Sequence, residues 1–202
     1  MSAAATLAPG AQAEQLAPLR GFVRGIAALA DRGAPEELFL SEGATLLRRL
    51  VADDRWLPDT HAAPDPEHYR QYRLYLDPAG RFSVVSFVWG PGQRTPVHDH
   101  TVWGLVGVLR GTEIVENYER RSDGLRLTGS ERLPAGAIDA VSPTIGDIHR
   151  VSNAFDDRVT ISIHVYGADI GKVRRSTYDP DGSSREFVSG YAEAPPLSLW
   201  ND

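Results

Sequence analysis

The sequence predicts a mainly β protein, a barrel or sandwich with two helices in front of it, and three observations carry that prediction. Apolar residues recur at helical spacing only near the N-terminus, and then give way to short segments rich in β-branched and aromatic residues. Gly, Pro and Asp turns punctuate those segments, as in sheets built from many short strands. The length, 202 residues, suits one domain with a sizeable core, whereas a division into two would leave each half small.

Residues 1–14 are rich in Ala, Pro and Gly and are expected to form a flexible tail, which leaves 15–202 as a single domain. Leu16, Leu19, Phe22, Val23, Ile26 and Leu29 follow at three- and four-residue steps, one apolar stripe along a helix that Gly33 and Pro35 end. A second helix is expected from Pro35 to Val51, followed by a Pro-rich stretch from Leu57 to Pro66. Strands are then expected at Tyr69 to Leu76, Phe82 to Trp89, Thr95 to His100, Trp103 to Arg110 and Glu113 to Arg120. Four more are expected at Arg126 to Leu133, Ala137 to Val141, His149 to Ser152 and Val159 to Tyr166. No internal repeat interrupts the series.

Composition narrows the function classes. Apolar residues at 42% and charged residues at 24% are ordinary for a soluble globular chain. The net charge is −6, and Arg174-Arg175 is the only basic cluster that stands out, so no nucleic-acid partner is expected. The apolar runs fall short of the roughly 20 residues a membrane helix needs, and the first fifteen residues lack a secretory signal pattern, so a cytoplasmic protein without a membrane partner is expected. Cysteine is absent, which excludes disulfides, thiolate metal sites and a cysteine nucleophile, and leaves nitrogen and oxygen as metal ligands. A small molecule is the expected partner, and nothing in the sequence specifies an oligomeric state.

Four of the six histidines, His98, His100, His149 and His164, fall in the strand-rich region. In Pro-Val-His-Asp-His-Thr, His98 and His100 are two apart, so on a strand both imidazoles project from one face and can hold one ion while Asp99 points away. His149, delivered by a Gly-Asp turn at the start of a strand, is the best candidate for a third ligand. Imidazole serves Fe, Zn, Cu and Ni alike, so spacing does not choose the metal. A second constellation lies in Ile161 to Gly167, where Ser162, His164 and Tyr166 share one strand face and three apolar residues share the other. It reads either as a solvent-exposed polar face or as a hydrogen-bonded relay ending at the Tyr166 hydroxyl.

The frame around these histidines resembles the cupin superfamily. Gly92, His98, His100 and Gly111 match its first motif, and Pro143, Gly146, His149 and Asn153 match its second with one extra residue between Pro143 and Gly146. Gly104 stands where most cupins carry a glutamate ligand, which leaves three neutral imidazoles on the ion and suits an anionic ligand such as a thiolate. From about Tyr69 to Arg175 the chain resembles the bacterial thiol dioxygenases of the cysteine dioxygenase family. That resemblance implies a cupin barrel, mononuclear iron(II) held by His98, His100 and His149, and oxidation of a small thiol by O2 to its sulfinic acid. It also implies catalytic roles for Ser162, His164 and Tyr166. Gly104 occupies the place of the cysteine that cross-links to the tyrosine in mammalian-type members, so no cross-link can form.

For the substrate carboxylate the resemblance offers an arginine in the cysteine-specific type and a glutamine in the 3-mercaptopropionate type. Gln71 and Arg73 are both available, two apart on one strand. Gln71 fits the glutamine position, and Arg175 matches the further arginine of that type, which favours 3-mercaptopropionate over cysteine. Two other readings stay open: a different metallocupin enzyme, such as an isomerase or carbon-cleaving dioxygenase, and a non-enzymatic ligand-binding cupin.

Overall fold

The computed structural model describes residues 13–200. The tail expected over 1–14 therefore lies outside the described residues, except for Ala13 and Glu14, which already belong to a helical turn. Helix α1, Ala17–Asp31, buries Leu19, Phe22, Val23, Ile26 and Leu29, the stripe its spacing predicts. Gly33 ends it with φ 61°, a left-handed conformation that glycine adopts without a Cβ clash.

The second expected helix is divided. A single turn α2, Glu36–Leu38, runs into a π-helical turn, Phe39–Gly43, and then into α3, Ala44–Leu50. Packing on the sheet accounts for the wide turn. Phe39 stacks on Trp103 at 4.7 Å, and Gly43 lies so close to the sheet that an added Cβ would stand 3.0 Å from a Leu105 methyl. None of the described helices is long and apolar enough to cross a membrane.

Among the described residues eleven strands form two antiparallel sheets that face each other as a cupin barrel. They are β1 (Arg70–Leu76), β2 (Ser83–Trp89), β3 (Val97–His98), β4 (Gly104–Arg110), β5 (Thr112–Arg121) and β6 (Gly124–Pro134), followed by β7 (Ile138–Val141), β8 (His149–Asn153), β9 (Thr160–Tyr166), β10 (Arg175–Tyr178) and β11 (Ser184–Phe187). One sheet has the order β1-β2-β9-β4-β7 and the other β11-β10-β3-β8-β5-β6. All nine expected strands are present. Strand β3 is only two residues long because Pro96 offers no N–H to a ladder and the amides of His100 and Thr101 turn to the Asp147 carboxylate. Strands β10 and β11 extend the second sheet beyond the last expected segment.

The five-stranded sheet is buried on both faces, so its alternation separates two cores. Val84, Val88, Leu105, Ile161, Ile163 and Val165 face the helices and pack with Leu19, Phe22 and Ile26. Val85, Phe87, Trp89, Val108 and Tyr166 face the barrel interior, where they meet Val115, Leu133 and Val151 of the opposite sheet. Each fully buried aliphatic or aromatic side chain contributes about 1.5–3 kcal/mol, so both layers are firmly held. The interior layer is where polar groups intrude.

Candidate metal centre

His98 and His149 face each other as directly paired residues of β3 and β8. His100 lies past the end of β3, so strand alternation does not aim it. A turn does. Asp147 Oδ1 and Oδ2 accept the His100 amide at 3.1 Å, Oδ2 accepts the Thr101 amide at 2.8 Å, and Thr101 takes φ 60°, the one positive φ among described non-glycine residues. A left-handed threonine is strained, and the two amide bonds to Asp147 offset that cost. Asp99 points the other way, accepting the Ser176 amide at 2.8 Å and the Tyr178 hydroxyl at 2.6 Å.

The three imidazoles meet edge to face with centroids 4.8–4.9 Å apart, and one donor atom from each falls within 4.8 Å of the others. All three residues are buried. Burial pushes the His98 pKa down to about 4, and burial followed by the neighbouring histidines holds His100 and His149 well below the ordinary value. The rings are therefore neutral, as metal ligation requires. His98 Nδ1 donates to the Pro96 carbonyl at 3.1 Å and His100 Nδ1 to Asp147 at 3.0 Å, which leaves Nε2 of each with a free lone pair. His149 Nδ1 has no hydrogen-bond partner among the described residues. Three buried neutral nitrogens converging without protons between them fit a divalent ion better than they fit one another.

The expected relay is inside the barrel. Strand β9 turns Ser162, His164 and Tyr166 inward: Ser162 Oγ lies 2.8 Å from His164 Nε2, and His164 Nδ1 lies 2.7 Å from the Tyr166 hydroxyl. Trp89 Nε1 donates to Ser162 Oγ at 3.2 Å. Burial lowers the His164 pKa to about 3 and raises that of Tyr166, so both are neutral. The Tyr166 ring stacks on His100 with centroids 5.4 Å apart, which places the phenol beside the triad. Gly104 makes that possible, since a Cβ there would lie 2.7 Å from Tyr166 Cδ1.

A cavity of about 250 Å³ opens on the three histidines, His164 and Tyr166, and its wall also holds Gln71 and Arg175. Arg175 is buried, carries its guanidinium 4.7 Å from the Phe187 ring, and leaves Nε without a hydrogen-bond partner among the described residues. Gln71 Nε2 donates to the Gly190 carbonyl at 2.6 Å. Arg73 does not reach this cavity. It is exposed and sits 5.5 Å over the Tyr191 ring, although it keeps continuous register with Gln71 on β1. Sequence reasoning missed Asp147, which only a contact 47 residues apart reveals, and Glu113, which reaches Ser162 from the opposite sheet.

The model of the family described as cysteine dioxygenase type I matches residues 50–179. A cysteine dioxygenase type 1 from Danio rerio is 25% identical over 142 residues, covering 66% of this chain and 70% of the fish protein. The Rattus norvegicus protein of that name is 28% identical over 105 residues, and the match spans 50% of this chain and about half, 52%, of the rat protein. A solved structure from Klebsiella pneumoniae, described as a conserved protein with a double-stranded β-helix domain, aligns with a TM-score of 0.47 at 18% identity, covering 60% of this chain and 93% of that one. Every residue from Gln71 to Arg175 that walls the cavity falls inside the matched span, and the chain belongs to the cysteine dioxygenase type I family.

Proposed function

We propose that this protein is an iron(II)-dependent thiol dioxygenase that converts a small thiol carboxylate, 3-mercaptopropionate foremost, to its sulfinic acid with O2. The observation that carries the reading is one small cavity shared by three buried neutral imidazoles, the Tyr166 hydroxyl and the unpaired Arg175 guanidinium. Bound by His98, His100 and His149, iron(II) would supply acidification of the thiol and a common meeting place for thiol and dioxygen. Both atoms of O2 end on sulfur, and the thiol proton is released.

The remaining work belongs to the chain. Arg175 holds the substrate carboxylate through a charge-assisted contact, with the Gln71 amide beside it. Among the described residues the cavity wall carries no Asp or Glu to pair with an ammonium group, which supports 3-mercaptopropionate over cysteine. Cysteine is the second reading, favoured by the names of the relatives. Tyr166 presents a neutral hydroxyl to the reacting sulfur, oriented by His164 and Ser162. Aromatic walls from Tyr69, Phe87 and Trp89 keep bulk water from that hydroxyl.

Oxygen uptake by iron-loaded protein, followed with 3-mercaptopropionate, cysteine and cysteamine and matched to sulfinate by mass spectrometry, tests the reading. The highest kcat/KM is expected with 3-mercaptopropionate. Preference for cysteine would move the assignment to the second reading, and no sulfinate from any thiol would overturn both.

A further inference from the structure

Glu113 is an anomaly of the barrel interior. It is fully buried on β5, on the same inward-facing parity as Val115, between Asn153 of β8 and Leu133 of β6. Neither carboxylate oxygen has a hydrogen-bond partner among the described residues. The protons that lie next to it are the Ser162 hydroxyl and the Trp89 indole N–H, close enough to act on its charge but short of full hydrogen-bond geometry. An ionised carboxylate left in that position costs several kcal/mol of lost hydration, so its presence calls for an account.

We propose that Glu113 is a positioning residue for the Ser162–His164–Tyr166 relay, and that its carboxyl group, reaching Ser162 from the opposite sheet, sets the direction in which the hydrogen bonds run to Tyr166. The proposal rests on the thiol dioxygenase reading for its catalytic meaning, though not for its chemistry.

The direction follows from counting protons. Ser162 has one hydroxyl proton and can give it either to His164 Nε2 or to Glu113. When Glu113 is protonated, it donates to Ser162 Oγ, Ser162 donates to His164 Nε2, and His164 Nδ1–H donates to the Tyr166 oxygen. The Tyr166 proton is then free to point into the cavity. When Glu113 is ionised, Ser162 donates to the carboxylate and accepts from His164 Nε2–H. His164 Nδ1 now carries a lone pair, accepts a hydrogen bond from the Tyr166 hydroxyl, and leaves the phenol only lone pairs to offer the cavity. The two states differ by one proton lost from Glu113 to solvent and by the tautomer of neutral His164.

The surroundings make both states reachable near neutrality. Burial raises the Glu113 pKa from 4.5 to about 7 against the opposing pull of Ser162 and Trp89. The titratable groups facing it are Asp139 of β7, whose charge raises it further, and Tyr166 and His164 of β9, both neutral. From β2, β6 and β8 it meets Trp89, Leu133 and Asn153, none of which ionises.

The test uses the full-length chain loaded with zinc, which is diamagnetic. Infrared spectroscopy follows the carboxyl C=O stretch, and nitrogen-15 NMR follows the tautomer of His164, both through neutral pH. In the wild type the carboxyl band should vanish and the His164 proton should move from Nδ1 to Nε2 with one shared midpoint. In Glu113→Gln the band should be missing and His164 should keep one tautomer at every pH. In Ser162→Ala the Glu113 band should still titrate while His164 no longer follows, which isolates the coupling from any folding defect of the first variant. A His164 tautomer that ignores the Glu113 midpoint in the wild type, or that switches unchanged in Glu113→Gln, overturns the proposal, as does a carboxyl band that does not titrate. With iron in place, the pH profile of kcat should lose its neutral limb in Glu113→Gln. Absence of thiol oxidation with the tautomer switch intact would sink the functional reading and leave this inference standing.

Discussion

Asp147 holds His100 at both ends, accepting its backbone amide at 3.1 Å and its ring Nδ1–H at 3.0 Å. One carboxylate thus fixes the turn, the ring tautomer and the basicity of the nitrogen left for the metal. Asp147→Ala should lower iron affinity about 10- to 100-fold, the usual cost of losing such a partner. His98→Ala, His100→Ala and His149→Ala should each abolish it. Metal analysis after dialysis against a graded chelator measures both, and a ligand variant that retained full iron would leave the triad.

Gly104 and Tyr166 form a second pair, because a side chain at 104 would have to occupy the ring's place. Gly104→Ala should displace the phenol and slow turnover about as much as Tyr166→Phe, on the order of 10- to 100-fold for loss of a supporting group. Both variants should keep their iron. Steady-state kinetics beside metal content decide, and wild-type turnover in Tyr166→Phe would return the tyrosine to a packing role.

Carboxylate recognition should follow the cavity wall. Arg175→Ala is expected to raise the KM for 3-mercaptopropionate far more than for cysteamine, which has no carboxylate, because a hydrogen bond to a charged group contributes about 1.5–3 kcal/mol. Gln71→Ala should do the same more weakly. Arg73→Ala should leave both constants near wild type, since its guanidinium lies over Tyr191 outside the cavity. Loss of carboxylate preference in the Arg73 variant alone would reverse this assignment.

Stability should also register Glu113. Its pKa is higher folded, at about 7, than the ordinary 4.5, so its contribution is fully present below pH 4.5 and is lost as pH rises through 7. At about 1.4 kcal/mol per pKa unit the loss is roughly 3 kcal/mol. Burial of His61 acts in the opposite sense: its pKa falls from 6.5 to about 4, so the stability it contributes is present above pH 6.5 and lost on acidification. Comparing urea unfolding of the wild type with Glu113→Gln across the range cancels the histidines. The variant should gain relative stability on the alkaline side, and a difference that stayed constant with pH would show that Glu113 does not titrate there.

Much of this was legible in the residues, though not always for the reason first apparent. The nine strands were readable because the central ones are β-branched and bounded by turns, while β10 and β11 were hidden by polar, half-exposed sequences such as Ser-Arg-Glu-Phe. His100 joins the site as its spacing suggests, yet a turn clamped from 47 residues away aims it, not the pleat of a strand. Strand parity separated the apolar and polar faces of β9 correctly, but could not show that both are covered, since that depends on helices packed on the outer face. The same parity applied to β5 would have turned Glu113 inward with Val115. Only the meeting of two sheets reveals what it finds there.

His98 and His149 belong to β3 and β8 of one sheet, with His100 in the turn just past β3, whereas Ser162, His164 and Tyr166 all belong to β9 of the other. The phenol meets the triad where the two sheets face each other, Tyr166 stacking on His100 with centroids 5.4 Å apart, and wedges such as Val108 and Val115 fill the same interior layer. Trimming or enlarging a wedge would move the Ser162–His164–Tyr166 face against the histidine face, each staying intact. Metal affinity and turnover would in this sense be governed by different parts of the molecule, with the interior filling as the calibration between them.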